Sequence, residues 1–360
     1  MNKKGVALIL SYMVIMVLTV LGTAFVARSV SENSIAKRYA DSERAFWVAE
    51  AGLAQAYYNA LNNIAQPGAS VSFGGGAYSV NTADPSRIAV TGTFGNSSRA
   101  VQLSCAFKNT LSVGGNLTLQ GFLARAEVYG STRISGAYSQ TGGATAWFQD
   151  KQEGVPASQT TIAIPDYNHN GTGNEFGDFV LFGQAAAQSY PADQVVYIQN
   201  NGTVNIFPNQ SLVGKKIVYV EGSSPGTGNV NIFFDATWQD NQDLTIIATG
   251  KITYVEPLQY QANSRLSAIS WGDYNEASIF RSQHESVIYT HNNANFVDIL
   301  EWGSTTGNII ANHDISLREV LTYEKYYYSD DPLAPGFSSL GSAASNLTEP
   351  KTGTWQEVSP

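Results

Sequence analysis

Residues 3–27 read KKGVALILSYMVIMVLTVLGTAFVA: two lysines, a glycine, then no charge until Arg28. An uncharged run from Gly5 to Ala27, rich in Leu, Val, Ile and Met, is long enough to cross a bilayer. A secretory signal peptide has a shorter apolar region ending in a small-residue cleavage site, whereas this one continues into a helical pattern. Lys3 and Lys4 predict a cytoplasmic N-terminus, with the rest of the chain facing outward.

Beyond Arg28, Ile35, Tyr39, Phe46, Leu53, Tyr57, Leu61 and Ile64 recur at steps near three, four or seven, with Glu43, Glu50 and Gln55 between them. That is one apolar stripe on a continuing helix. Pro67-Gly68 is its stop signal. A helix from Val6 to about Ile64 would be roughly 88 Å long at 1.5 Å per residue, far more than a membrane needs. Its first half is expected in lipid and its second on a folded head, where Phe46, Leu53 and Tyr57 supply the packing face.

Lys3-Lys4-Gly5, Val6-Ala7-Leu8-Ile9-Leu10 and Ala49-Glu50-Ala51-Gly52-Leu53 together resemble the type IV filament family, specifically the N-terminal region of PilX-type minor pilins and the related tip pseudopilin of type II secretion. The resemblance covers about the first hundred residues. It implies cleavage after Gly5 by a prepilin peptidase and methylation of the new amine of Val6. An ordinary signal anchor that is never cleaved is the alternative. Most such subunits carry glutamate at the fifth mature position, where Leu10 stands here. A carboxylate at that depth is costly unless it meets the terminal amine of the subunit above. A subunit without it sits most cheaply where nothing lies above, at the filament tip.

The chain is 360 residues long, which suggests two modules. Charged residues make up 14%, well under the roughly 25% usual in soluble domains, while 33 Gly and 19 Tyr favour strands and turns. A net charge of −9 leaves no large basic surface, so nucleic acid is a poor partner. The single cysteine, Cys105, cannot form an internal disulfide, and with His169, His284, His291 and His313 scattered there is no zinc pattern. Cys105 reads as a small core side chain.

The runs Ser70 to Phe73, Ala77 to Asn81, Arg87 to Thr93 and Arg99 to Phe107, separated by glycine- and proline-containing turns, predict an antiparallel meander. After Thr110 the pattern changes. Apolar quartets begin at Val195, Ile217, Thr245, Ser267, Ser286 and Asn308, so by subtraction their starts lie 22, 28, 22, 19 and 22 residues apart. A second set interleaves, beginning at Val204, Val230, Ile252, Ala277, Phe296 and Asp314. Two short strands per repeat bury a core only by stacking on their neighbours, which predicts a right-handed parallel β-helix of six coils. Leu111 to Leu119 and Val128 to Ile134 are expected to begin it. Asn200, Asn201, Asn229, Asn263, Asn292 and Asn293 fall at turns, where they accept left-handed backbone and stack as ladders; sugar binding is the alternative use.

Asp166, Asn168, Asn170 and Asn174, with Gly171 and then Asp178, place oxygens at alternate positions around a tight glycine and resemble a calcium loop. The match is partial, because position twelve is Gly177, and a polar surface turn explains the same letters. Asp235, Asp240 and Asp243 raise the question of a polysaccharide-active enzyme, but no catalytic signature accompanies them. Trp147, Phe148, Trp238, Tyr254, Tyr260, Trp271, Trp302 and Tyr326-Tyr327-Tyr328 serve either as a binding strip or as strand packing.

The expected fold is therefore α+β. A leader (1–5) precedes a long helix (6–64, with 6–26 in membrane or filament core), a small antiparallel sheet (65–108), a parallel β-helix (109–330, with a loop insertion at about 149–190) and an irregular tail (331–360). The expected role is assembly of a pilus or pseudopilus without catalysis, the head displayed for adhesion or partner binding; a membrane-anchored polysaccharide-active enzyme and a repeating filament-forming subunit are the alternatives. Calcium is the one cofactor considered. The expected partners are other minor pilins, the major pilin, the inner-membrane assembly machinery and a surface or glycan ligand. Before assembly the chain sits in the inner membrane, with its head outside the cytoplasm.

Overall fold

The structure is a computed structural model. It describes residues 3–62, 64–81, 87–162, 190–207, 212, 214–223, 226–233, 243–255, 265–278, 283–300, 302–329, 337, 347–351 and 353–358.

Helix α1 runs unbroken over Lys3–Leu61, 59 residues, because neither proline nor a glycine pair interrupts it. At its end, Asn62 Nδ2 donates to the Tyr58 carbonyl at 2.8 Å, and the Ile64 amide donates to the Asn59 carbonyl at 2.8 Å. The Tyr58 carbonyl also accepts the Asn62 backbone amide at 3.1 Å, and the Ile64 bond gives the Asn59 carbonyl a partner at the helix end.

Strands β1 (Val71–Phe73), β2 (Gly76–Asn81), β3 (Arg87–Phe94) and β4 (Ser97–Phe107) form the antiparallel meander, paired in sequence order. The C-terminal part of α1, from Ala45 onward, lies across it, burying Ala45, Val48, Ala49, Leu53 and Ala56 against Tyr78, Val90, Val101 and Leu103. Two glycines permit this approach. A Cβ on Gly92 of β3 would stand 2.3 Å from the Ala45 carbonyl oxygen, and one on Gly52 of α1 would stand 2.6 Å from the Tyr78 ring.

The next strands are β5 (Leu111–Val113), β6 (Leu117–Phe122), β7 (Arg125–Ile134), β8 (Tyr138–Thr141) and β9 (Thr145–Glu153). Then come β10 (Val195–Gln199), β11 (Thr203–Ile206), β12 (Ile217–Glu221), β13 (Asn229–Phe233), β14 (Asp243–Ala248) and β15 (Ile252–Val255). The remainder of the stack is β16 (Arg265–Ser270), β17 (Tyr274–Ser278), β18 (Gln283–Thr290), β19 (Ala294–Ile299), β20 (Trp302–Ala311), β21 (Ile315–Val320) and β22 (Tyr323–Tyr328). All pair in parallel as a solenoid. One sheet runs β10, β12, β14, β16, β18, β20 and then β22 with β5, before β7 and β9; the other runs β11, β13, β15, β17, β19, β21, β6, β8.

This order corrects one expectation. The strands at 111–134 do not precede the coil at Val195; they stack on the last coil, β6 against β21 and β7 against β22. One rung is composite. Trp302 to Gly307 of β20 pair with β22, and Ile309 to Ala311 of the same strand pair with β5, so the outgoing chain supplies half a rung and the incoming chain the other half. β7 continues both halves, with an irregularity between Val128 and Ser131 at Gly130, whose φ is +99°.

The two sheets differ in pattern for a physical reason. In β12 all five residues are buried: Val218 and Val220 face the solenoid interior, while Ile217 and Tyr219 face outward into a second cluster with Phe107, Ile162, Phe337 and Leu347. A sheet covered on both faces reads as a continuous apolar run. Strands of the other sheet alternate, as in β13, because only their inner face is covered.

Asparagine and aspartate close one corner as a ladder. Asp273 Oδ1 accepts the Asn293 amide, Asn293 Oδ1 accepts that of Asp314, Asp314 Oδ1 accepts that of Asn116, and Asn116 Oδ1 accepts that of Ala137. Each rung thereby satisfies a backbone donor on the next.

Within the span expected as an irregular tail, the described residues include two strands. β23 (Thr348–Pro350) and β24 (Gln356–Val358) return to pair antiparallel with β4. The solenoid is consequently an insertion whose two ends leave together, held by the Lys108 amide donating to the Leu347 carbonyl at 2.9 Å.

Candidate assembly interface

From Leu8 to Ala40 every residue of α1 is exposed, and its most apolar window has a mean hydropathy of 2.3. Leu8 is 74% exposed, Phe25 69% and Tyr39 71%, on all sides of the helix. Among the described residues no part of the head covers this surface, which suits lipid or other helices. Gly5 and Val6 lie in the first turns, and Leu10 is exposed in this apolar stretch. The first charges after it, Arg28 and Glu32, pair with each other at 2.8 Å.

Where α1 meets the head, Leu53 is buried, while Phe46 and Tyr57 are half-buried at the margins of the packed face. The centre of that face is made of small residues, Ala45, Ala49, Gly52 and Ala56, which a search for large apolar side chains passes over. The spacing Ala45, Ala49, Gly52, Ala56 was its available signal. Phe46 meets Trp355 edge-on at 6.1 Å, which brings the C-terminal segment onto the helix. Arg99 ties three elements together, donating to Ser42 Oγ of α1 at 2.8 Å and to Glu357 of β24 at 2.9 Å. The Arg44 guanidinium lies 5.1 Å over the Phe94 ring.

The candidate calcium residues Asp166, Asn168, Asn170, Asn174 and Asp178 fall outside the described residues, as do Asp235 and Asp240. Asp243 accepts from Arg265 at 2.9 and 3.2 Å, a structural ion pair. Among the described residues no group of three or more His, Cys, Asp or Glu side chains converges as a metal site. His291 is buried and stacked on Trp271 with centroids 4.1 Å apart.

The aromatic residues divide. Tyr254, Trp271 and Tyr326 are buried packing. Tyr129, Tyr327 and Trp147 form a ladder on the outer surface of the composite joint, with Trp147 48% exposed. Beside them Glu127 accepts from Arg125 at 2.6 Å and from the Tyr129 hydroxyl at 2.8 Å. The Tyr129 hydrogen bond is the main reason the Glu127 carboxyl is held below its ordinary range, with Tyr323 and Arg125 adding to it. At the far end of the stack, burial and a hydrogen bond to Glu221 push the Tyr197 hydroxyl up to about 12.

The structure thus joins an exposed helix, long and apolar enough to cross a membrane, to a β-rich head. Residues 4–54 match the family model described as PilX N-terminal, so the chain carries a PilX-type pilin N-terminal region. Among solved structures, the chain is similar to the competence-associated pilin ComZ from Thermus thermophilus, with 11% identity, a TM-score of 0.27, and coverage of 89% of this chain and 96% of that one. It is also similar to a glycosylated ice-binding protein, LeIBP, from Arctic yeast, with 8% identity, a TM-score of 0.25, and coverage of 59% of this chain and 94% of that one. No curated protein sequence matches the chain. The matched region and the apolar helix are together consistent with membrane anchoring.

Proposed function

We propose that this chain is a minor pilin of a type IV pilus or related pseudopilus, cleaved after Gly5, methylated at Val6 and transferred from the inner membrane into a filament with its head outside the cytoplasm. The observation that carries the reading is the uncovered apolar surface of α1 from Leu8 to Val26, continuous with a helix end fixed to the head through Ala45, Ala49 and Gly52. Such a surface is stable in lipid or among sister helices and nowhere else. Leu10 supports a place at the tip, because it cannot neutralise a terminal amine above it. Partners are other minor pilins, the major pilin and the inner-membrane assembly machinery. The solenoid is then a displayed platform, and the work of the protein is packing and nucleation.

Replacing Gly5 with Trp tests this. The expected result is a chain that keeps its leader, migrates more slowly, stays in the membrane fraction and is missing from sheared filaments. Unchanged mobility together with unchanged presence in sheared material would remove the reading.

A further inference from the structure

The second solenoid sheet has an outer face that differs from the rest of the molecule. Its central outward column, fixed by register, is Asn205, Asn231, Thr253, Asn275, Asn295 and Ser316. Thr118 and Ser139 continue it on the N-terminal coils, so it crosses all eight strands without a charge. At about 4.8 Å per rung the column is about 34 Å long. These side chains are exposed or half-buried, whereas the outer face of the other sheet is covered by Ile162, Phe337 and Leu347.

The amides are oriented by one another. Asn231 Nδ2 donates to Asn205 Oδ1 at 3.1 Å, and Asn295 Nδ2 donates to Asn275 Oδ1 at 3.1 Å. An amide nitrogen carries two donors and its oxygen two lone pairs, so a ladder bond leaves a donor and an acceptor for a ligand. The adjoining outward column runs through Phe233, Val255, Ala277 and Val297 before reaching Arg318, with Phe207 stacked on Phe233 at 5.3 Å. A partner that fits must carry hydroxyls along one edge and C–H surface along the other, repeat along a straight axis, and bear no charge. An anionic polymer would meet a chain of net charge −9 with no cation in the central column.

We propose that this face binds a neutral, extended polysaccharide lying parallel to the solenoid axis, with sugar hydroxyls on the Asn/Thr/Ser column and ring C–H groups on the Phe/Val column. The inference concerns the head alone, so it stands or falls independently of leader cleavage.

The test is depletion of the full chain, in mild detergent, from solution by amorphous cellulose, with alginate gel as the anionic comparator. The expected result is retention on cellulose and not on alginate, with affinity reduced at least about tenfold by Asn275→Asp combined with Asn295→Asp. Because those changes touch the ladder itself, Thr253→Lys, whose long side chain projects into solvent, is the second variant and should reduce retention with an unaltered circular dichroism spectrum. No retention on cellulose, preference for alginate, or retention indifferent to both folded variants would overturn the proposal.

Discussion

Tyr129 and Tyr327 stack face to face, their ring centroids 4.8 Å apart and their planes 12° from parallel, although one stands on an early strand and the other on the last strand of the solenoid. The pair spans the seam where the chain's return meets its beginning. Trp147 extends the same ladder, 5.2 Å from Tyr129.

Replacing Tyr129 or Tyr327 with Ala should loosen the seam selectively. In a double-mutant cycle on the full chain, denaturant unfolding is expected to give a coupling of about 1 kcal/mol, within the range for aromatic pairs. Hydrogen exchange should quicken in β7 and β22 before β12 and β14. Uniform quickening along the whole stack would contradict a local clamp.

The same seam should be acid-sensitive. Glu127, Asp150 and Glu153 all have carboxyls held below their ordinary range, by Tyr129, Arg133 and Lys151 respectively as the first cause. A lowered folded-state value means that their stabilisation is fully present above the unfolded value, near 4.5 for glutamate and 3.8 for aspartate, and is lost as pH falls through the folded value. Protection of β7 and β9 amides should therefore drop below about pH 4. Glu127→Gln should flatten that drop; an unchanged profile would show that these carboxylates do not govern it.

Gly92 should tolerate no side chain. The atoms a Cβ would meet are the backbone oxygen of Ala45 and the backbone nitrogen of Ala49, at 2.3 and 2.4 Å, and backbone cannot swing aside. Gly92→Ala is expected to cost about 1–3 kcal/mol. It should also open the helix–sheet contact. Cys105, 4% exposed in that contact, should resist thiol reagents in the native chain and react in the variant.

Leu10→Glu should restore the option of burial beneath another subunit. Immunogold labelling of filaments is expected to move from ends to shaft. Label confined to the ends in both proteins would mean that Leu10 does not govern position.

Much of this was legible in the sequence because hydrophobic period is a local property. The unbroken run after Gly5 fixes a helix, the quartets at 19 to 28 residues fix stacked strands, and continuous as against alternating burial separates a sheet covered twice from one covered once. The small residues of the helix–head contact were overlooked because Ala45, Gly52 and Gly92 contribute closeness in place of bulk. The tail could not be read as strand because Thr348–Pro350 and Gln356–Val358 carry too few residues for a period, and only the waiting edge of β4 makes them pair.

By itself the sequence determined that a greasy helix leads and that repeated strands must stack. The tertiary structure decided the order of the stack. A strand's pattern records how much of it is buried, whereas its neighbour is chosen by whichever complementary edge the folded chain brings alongside. In this protein the edge of β20 is met by β22 and β5 together, from opposite ends of the solenoid's own chain.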